Sequence, residues 1–597
     1  MSQNESTTHA ESASHTEQVE IERKYAVGDE LPLPELTGVG VATGTPVESA
    51  EAVAPYQLEA VYFDTADGAL ARQRIALRRR RGGHDEGWHV KLPAAEGRTE
   101  LQWPLGVGEH ENADETGEGA LDRAETTDAP PAAIVDPADA SEADETVLDG
   151  GVPTETAPAE TAPAETVPPA VLAPVRVHVR DHPLTPLARV STTRRVTNLR
   201  GASGAVVAEV ADDTATATDA REGTVRLWRE WEVELGVGAP ATPEGRTVLL
   251  DEIEARLLAV GATVSPSVSK LAQAVGRTGL GSSEPAADQS KPGKGASAAA
   301  ARVLGGVAEL VAQLVALDPA ARADRPDAVH HLRTTVRRLR NVLSTHRDLF
   351  DESAVDEVRN SLSRFGAVLG EVRDLEVRAD WAAFALDELE TDRGVDDPDA
   401  RRRLVDDARA EHDEAHARLV TVMSGSVYYR LLDALDSFAG DAPIAPDAPR
   451  QPKKEARRTL RKEGKRAVAR SVKEREARRV FGPDTVAAAG TLGALHDSRK
   501  AARRLRHAAE FATTGAAGVL GDHAEALGDA AEELQDALGW HRDASIFAEY
   551  VLLTARRAEA AGEGSFTYGV LYQRSLDQAR RALALAEDAR RALKSTL

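Results

Sequence analysis

The chain has 597 residues, too many for one hydrophobic core, so two to four domains are expected. A formal net charge of −25 disfavours general nucleic-acid binding, and the lack of cysteine excludes disulfides, thiolate metal sites and cysteine nucleophiles. The charge is uneven: residues 109–166 hold seventeen acids against one arginine, whereas 453–479 hold thirteen Lys and Arg against four Glu.

In chain order, residues 1–16 are polar and read as a disordered tail, with neither the basic flank nor the apolar core of a signal peptide. The first strand follows in VEIERKY (19–25). Side chains alternate along a strand, so Glu20, Glu22 and Lys24 share one face, opposite Val19, Ile21 and Tyr25. QLEAVYFDT, IALRRRR, WHVKLP, RTELQWPL, VRVHVRD, PLARVSTTRRVTNLR, AVVAEVADDTATAT and REWEVELG also read as strands, with GGHDEG and RGASGA as turns. Eight or nine strands over 17–280 suggest a closed antiparallel barrel or a sandwich.

Charges recur on single faces of these strands: Arg78 with Arg80, His89 with Lys91, Arg98 with Glu100, Arg189 with Arg195 (Arg194 opposite), Glu209 with Asp213, and Glu230, Glu232 with Glu234. One wet face of an ordinary sheet explains any one of these. Together they suggest an interior lined by both signs, where carboxylates hold a hard cation such as Mg²⁺ or Mn²⁺ and Arg and Lys hold phosphate oxygens.

Residues 107–170, with PTETAPAETAPAETVPPA, read as a disordered acidic insertion, and 281–298 as a linker. From 299 to 597 the apolar spacing is helical. The most apolar run there, VLGGVAELVAQLVAL, carries Glu309 and Gln313, so no membrane span and a cytoplasmic protein are expected. VHHLRTTVRRLR (329–340) repeats as LHDSRKAARRLR (495–506), offset by 166, and LGEVRDLEV (369–377) as LGWHRDASI (538–546), offset by 169. Two homologous helical units, about 299–450 and 451–597, are predicted.

On each repeated helix a histidine and three arginines align: His330, Arg333, Arg337 and Arg340, then His496, Arg499, Arg503 and Arg506. Each set lies within a sector of about 80°, beside an apolar stripe led by Leu332, Val336 and Leu339 in the first copy. Like charges at this spacing repel. Either they form a solvated face neutralised by acids such as Asp374 and Asp543, or a polyanion offsets the repulsion. The stretch lacks interleaved aromatics for base stacking, which favours inorganic polyphosphate over nucleic acid.

The doubled VHxxRxxxRRLR and LGxxRD elements resemble the CHAD domain, whose family binds polyphosphate. His507 stands where that family often has tyrosine. Over 17–280, Glu20-x-Glu22-x-Lys24, LRRR at 77–80, Lys91 in HVKLP, EVADD at 209–213, the ExE of WEVEL and SKLA at 269–272 resemble the CYTH superfamily, the triphosphate tunnel metalloenzymes. That resemblance implies an eight-stranded antiparallel tunnel binding a triphosphate and a divalent metal. It assigns Arg78, Arg80, Lys91, Arg189, Arg195 and Lys270 to substrate, with Lys24. Glu232, Glu234, Asp213 and Glu209 would be metal ligands, and Glu20, Glu22 and Lys24 would be catalytic, the two glutamates assisting at the metal or orienting water. The expected function is metal-dependent hydrolysis of inorganic triphosphate or short polyphosphate, with the helical half binding polyphosphate, including at polyphosphate granules. The alternatives are a non-catalytic polyphosphate-binding protein and an enzyme acting on an organic triphosphate, as a thiamine triphosphatase or adenylate cyclase.

Overall fold

The computed structural model describes residues 15–106, 166–267, 269–276, 297–481 and 489–597. Most of the predicted tail, acidic insertion and linker lies outside these residues.

The strands are β1 (Thr16–Glu20), β2 (Glu22–Ala26), β3 (Val47–Ala52), β4 (Tyr56–Asp64), β5 (Ala76–Arg81), β6 (Gly87–Pro93), β7 (Arg98–Trp103), β8 (Thr185–Gly201), β9 (Val206–Asp219), β10 (Val225–Leu235) and β11 (Thr263–Val264). Neighbours pair antiparallel in the order β7-β6-β5-β4-β8-β9-β10. β1 pairs with β7 and β2 with β10, and Ile21 alone separates β1 from β2. One stretch of chain therefore joins both edges and closes an eight-stranded barrel, counting β1 and β2 as one strand. β3 adds to β8 and β11 to β2.

Among the described residues five α-helices precede the helical half: α1 (Ala69–Arg72), α2 (Pro169–Leu172), α3 (Arg176–Val179), α4 (Pro243–Ala259) and, after β11, α5 (Lys270–Ala274). Helix α4 lies in the region read as strands. Thr242 caps it by accepting from Gly245 N, and Pro243 opens it, a pairing suited to a helix start. Its Leu249, Ile253 and Leu257 pack on Tyr25, Val210, Trp231 and Val233. The apolar faces of β2, β9 and β10 thus point outward under α4, which turns their charged faces to the interior.

VRVHVRD, read as a strand, is helix α3 preceded by α2. Val171, Val175 and Val179 are spaced by four, which fits one helical face, and they pack against Phe63, Leu77 and Val90. Pro169 and Pro174 lack the N–H a strand ladder needs. Val177 points away, into the helical core. Beside it Arg176 Nε donates to Tyr429 Oη (2.9 Å), and Arg180 pairs with Asp433 and Asp436.

The helical half comprises α6 (Ala298–Arg322), α7 (Ala328–Thr345), α8 (Glu352–Arg393), α9 (Pro398–Arg401), α10 (Asp407–Met423), α11 (Ser426–Asp441), α12 (Pro452–Phe481), α13 (Ala489–Thr513), α14 (Asp522–Ala560) and α15 (Phe566–Thr596). By length and composition α6 could cross a membrane. Its Val303, Val307, Val311 and Leu314 are buried in the first core, with Leu332, Leu362 and Leu419. The second core holds Leu505, Leu534, Leu538 and Leu593.

α7 and α13 are the repeated helices, and they meet about a pseudo-twofold axis. Asn341 and its repeat equivalent His507 touch at 2.7 Å between Nδ2 and Nδ1. Arg338 pairs with Glu510 (3.3 Å), and the equivalent Arg504 bonds the equivalent Ser344 (2.8 Å). Such reciprocity marks an isologous contact. His507, at the position where the resembled family often has tyrosine, is an axis residue.

Candidate functional site

The barrel encloses a charged cavity of about 250 Å³. One end of the interior is filled, because α5 lays Leu271 and Ala274 on Ala188, Val190, Ala215 and Ala217. Ser269 caps α5, accepting from Ala272 N, and so directs Lys270 at the helix start into the cavity.

Glu20, Glu22, Lys24, Arg78, Arg80, Lys91, Glu209, Glu232, Glu234 and Lys270 all line this cavity, and Asp213 lies in its wall against Lys270. Lys24 bridges Glu22 (3.0 Å) and Glu232; Lys91 pairs with Glu20 and stands 3.6 Å from Glu100. Arg78 reaches Glu100 (3.3 Å) and Tyr62 Oη (3.5 Å). Burial would raise the Glu232 carboxyl, but Lys24, Lys270 and Arg194 hold it well below the usual range. Burial beside Arg78 pushes Arg80 down to about 9.

Arg189 and Arg195 are not brought into the tunnel. Both are exposed on the outer face of β8, and Arg194 points inward. Its guanidinium forks onto Asp213, Nε to Oδ1 at 2.8 Å and Nη2 to Oδ2 at 2.6 Å, and reaches Glu232 Oε2 at 2.6 Å. Facing is set by register: Arg194 lies opposite the interior residue Asp213 on β9. Adjacent arginines give no local signal of which one enters, and a register shift between Tyr62 and Phe63 on β4 further complicates counting. Sequence reasoning also left out Glu100, which joins Arg78 and Lys91 to the buried His89; the ring nitrogens of His89 meet Glu100 Oε1 and Asp85 O, each at 2.9 Å. The alternation RTELQW already placed Glu100 beside Arg98 on one face.

Two sets of carboxylates bear on metal. Asp213, Glu230 and Glu232 have oxygens within 4.8 Å of one another. The Lys270 ammonium already sits among them, at 2.8, 2.8 and 2.7 Å. Glu22, Glu234 and Glu209 lie side by side in register on β2, β10 and β9. Like charges directly opposite on a sheet repel. Among the described residues Glu209 and Glu234 have no ion-pair partner, and burial pushes both carboxyls up. An all-oxygen, electrostatically strained trio is the donor set that a hard divalent cation fits.

In the helical half, His330, Arg333, Arg337, Arg340, Arg499 and Arg503 line two adjoining cavities between the repeats, which share Arg333 and Arg337. Arg333 pairs with Asp374 (2.9 Å). Among the described residues Arg337, Arg340, Arg499 and Arg503 form no ion pair. Burial, then Arg337 and Arg499, push Arg503 down to about 9, and burial with Arg333 and Arg499 pushes Arg337 down to about 10. Gly539 of the repeated LG element lets Arg499 lie along α14, since a Cβ there would stand 3.2 Å from Nη2. Arg466, Arg470 and Lys500 extend the groove. Two predicted residues lie elsewhere. Arg506 turns to Glu510 (2.8 Å) and Glu532 (2.9 Å), and His496 lines a third pocket with Leu492 and Leu538, which adjoins the first through Arg499, Arg542 and Ile546.

The CYTH domain model matches residues 18–255 and the CHAD domain model residues 305–552. Two proteins of Mycobacterium tuberculosis, uncharacterized protein Rv2226 of strain H37Rv and uncharacterized protein MT2285 of strain CDC 1551, are each 33% identical over 602 residues, covering 96% of this chain and 96% of each relative. Among solved structures, PptA from Streptomyces chartreusis is 18% identical with a TM-score of 0.39, covering 49% of this chain and 98% of that one. The CHAD domain from Ricinus communis is 18% identical with a TM-score of 0.35, covering 48% and 93%. A putative adenylate cyclase from Bacillus halodurans is 17% identical with a TM-score of 0.22, covering 43% and 97%. The chain belongs to the family that joins a CYTH domain, of the triphosphate tunnel metalloenzyme superfamily, to a CHAD domain.

Proposed function

We propose that the tunnel hydrolyses inorganic triphosphate or a short linear polyphosphate with Mg²⁺ or Mn²⁺, and that the groove between the helical repeats binds polyphosphate. The observation that carries the reading is one enclosed space where the trio Glu22, Glu234 and Glu209 stands with Lys24, Arg78, Arg80, Lys91, Arg194 and Lys270. A divalent ion held there would neutralise phosphoryl oxygens and activate water. The tunnel cations exchange their carboxylate partners for phosphate oxygens and stabilise charge on the leaving phosphate, while Glu20 orients the attacking water. In-line attack by water needs no nucleophilic side chain.

The test is phosphate release from triphosphate, long polyphosphate, ATP and thiamine triphosphate with each metal. Release from triphosphate that chelation stops, and that Glu22→Ala lowers by about 100-fold or more, supports the enzyme. Absence of release with either metal, with Glu22→Ala indistinguishable, sinks it. The position of Lys270 among Asp213, Glu230 and Glu232 favours a second reading, a tunnel that binds phosphate without turnover. Tight triphosphate binding with no release would select it. For the groove, Arg337→Ala and Arg503→Ala are expected to weaken long-chain polyphosphate binding; unchanged affinity in both counts against it.

A further inference from the structure

The cavity of about 380 Å³ at the upper seam of the repeats differs in chemistry from the basic groove it adjoins. Its wall is built from equivalent positions of both repeats: Arg373 and Arg542, Asp374 and Asp543, Val377 and Ile546, Trp381 and Tyr550. Half of that wall is unsuited to a bare phosphate chain. Trp381 stacks on Phe547, centroids 5.6 Å apart and planes 2° apart. The Tyr550 ring is pinned by its hydroxyl, which donates to Leu404 O (3.1 Å), and Arg378 lies over its face at 4.8 Å. Ile546 leaves 42% of its surface exposed.

Inorganic polyphosphate has nothing to lay on such a surface, and it is repelled by Asp374 and Asp543. Asp374 is engaged by Arg333, whereas Asp543 is half-buried, 3.6 Å from Arg542 and under the charge of Arg499 as well. It remains an acceptor for hydroxyl or amine donors. On the cationic side, Arg337 and Arg499 form no close ion pair among the described residues, and Asp543 acts on Arg499 only at longer range. The wall therefore asks for an anion with a flat apolar end and hydrogen-bond donors between the two, at a volume usual for small-ligand sites.

We propose that this pocket binds a nucleoside triphosphate: phosphates on Arg337 and Arg499, sugar hydroxyls facing Asp543, and the base against Trp381 and Ile546. The site is independent of turnover in the tunnel. It is tested by titration calorimetry on the full chain carrying Arg78→Ala and Lys91→Ala, which removes competing phosphate affinity from the barrel. The probes are ATP, GTP, inorganic triphosphate and long-chain polyphosphate. At least one nucleotide is expected to bind about tenfold tighter than inorganic triphosphate, the size of one base–aromatic contact. Ile546→Glu and Trp381→Ala should each weaken the nucleotide by about tenfold and leave polyphosphate within about twofold, whereas Arg337→Ala weakens both. The proposal fails if neither nucleotide exceeds inorganic triphosphate, or if Ile546→Glu leaves nucleotide affinity unchanged. Ile546 is on the surface, so that variant stays informative even where loss of Trp381 disturbs packing.

Discussion

Arg194 and Arg195 are adjacent in β8, yet Arg194 spans Asp213 and Glu232 inside the tunnel and Arg195 is exposed outside. Arg194→Ala leaves two buried carboxylates short of a partner, and a loss of about 3 kcal/mol in denaturant unfolding is expected. Arg195→Ala is expected to stay within about 0.5 kcal/mol. Equal losses would show that the register is wrong. The carboxylate trio behaves in the opposite sense. Glu234→Gln removes a repelling charge between Glu22 and Glu209, so the metal-free protein should melt about 1–3 °C higher. The same change should lower metal-dependent phosphate release by about 100-fold. A residue with a merely structural role would move both readouts downward.

At the scale of elements, the strands of the barrel were legible because charge and apolar side chains alternate, though β3 and β11, which add to β8 and β2, were not read; α7 and α13 were legible because their arginine spacing repeats. α3 was not: Val175, Val177 and Val179 satisfy a strand period, while Val171, Val175 and Val179 satisfy a helix period. Only the two packing partners, barrel on one side and bundle on the other, decide between them. α4 did carry a sign in its Thr-Pro start, masked by the density of strands around it. The helices also predict acid sensitivity. Burial holds His346, at the end of α7, and His541, in α14, down at about 4, against 6.5 for a free imidazole. Below 6.5 the unfolded chain binds protons that the folded chain excludes, so this stability is complete at neutral pH and is lost as pH falls from 6.5 toward 4. Thermal melts through that window should show a falling midpoint, with a shallower fall in His346→Asn. Parallel curves would assign the acid lability to other groups.

At the scale of the molecule, α3 ties the barrel to the bundle, with Val177 in the helical core flanked by Arg176–Tyr429 and Arg180 on Asp433 and Asp436. Val177→Asp puts an unpaired carboxylate there, and calorimetry should find the helical half destabilised by about 2–4 kcal/mol; no change would show the contact to be idle. The sequence alone determined two charged modules of different class, a barrel whose charges share faces and a duplicated bundle with arginine rows, because side-chain periodicity is local. It also placed most of the tunnel lining, since alternation within one strand needs no partner. The tertiary structure decided what depends on partners: Arg194 over Arg195, the Lys270 ammonium among three carboxylates, Arg506 turned to Glu510 and Glu532, and the aromatic wall at the repeat seam. Arg194 follows from cross-strand register, Lys270 from the docking of α5, the aromatic wall from the pseudo-twofold, and Arg506 from Glu532 on α14 joining Glu510 one turn along its own helix.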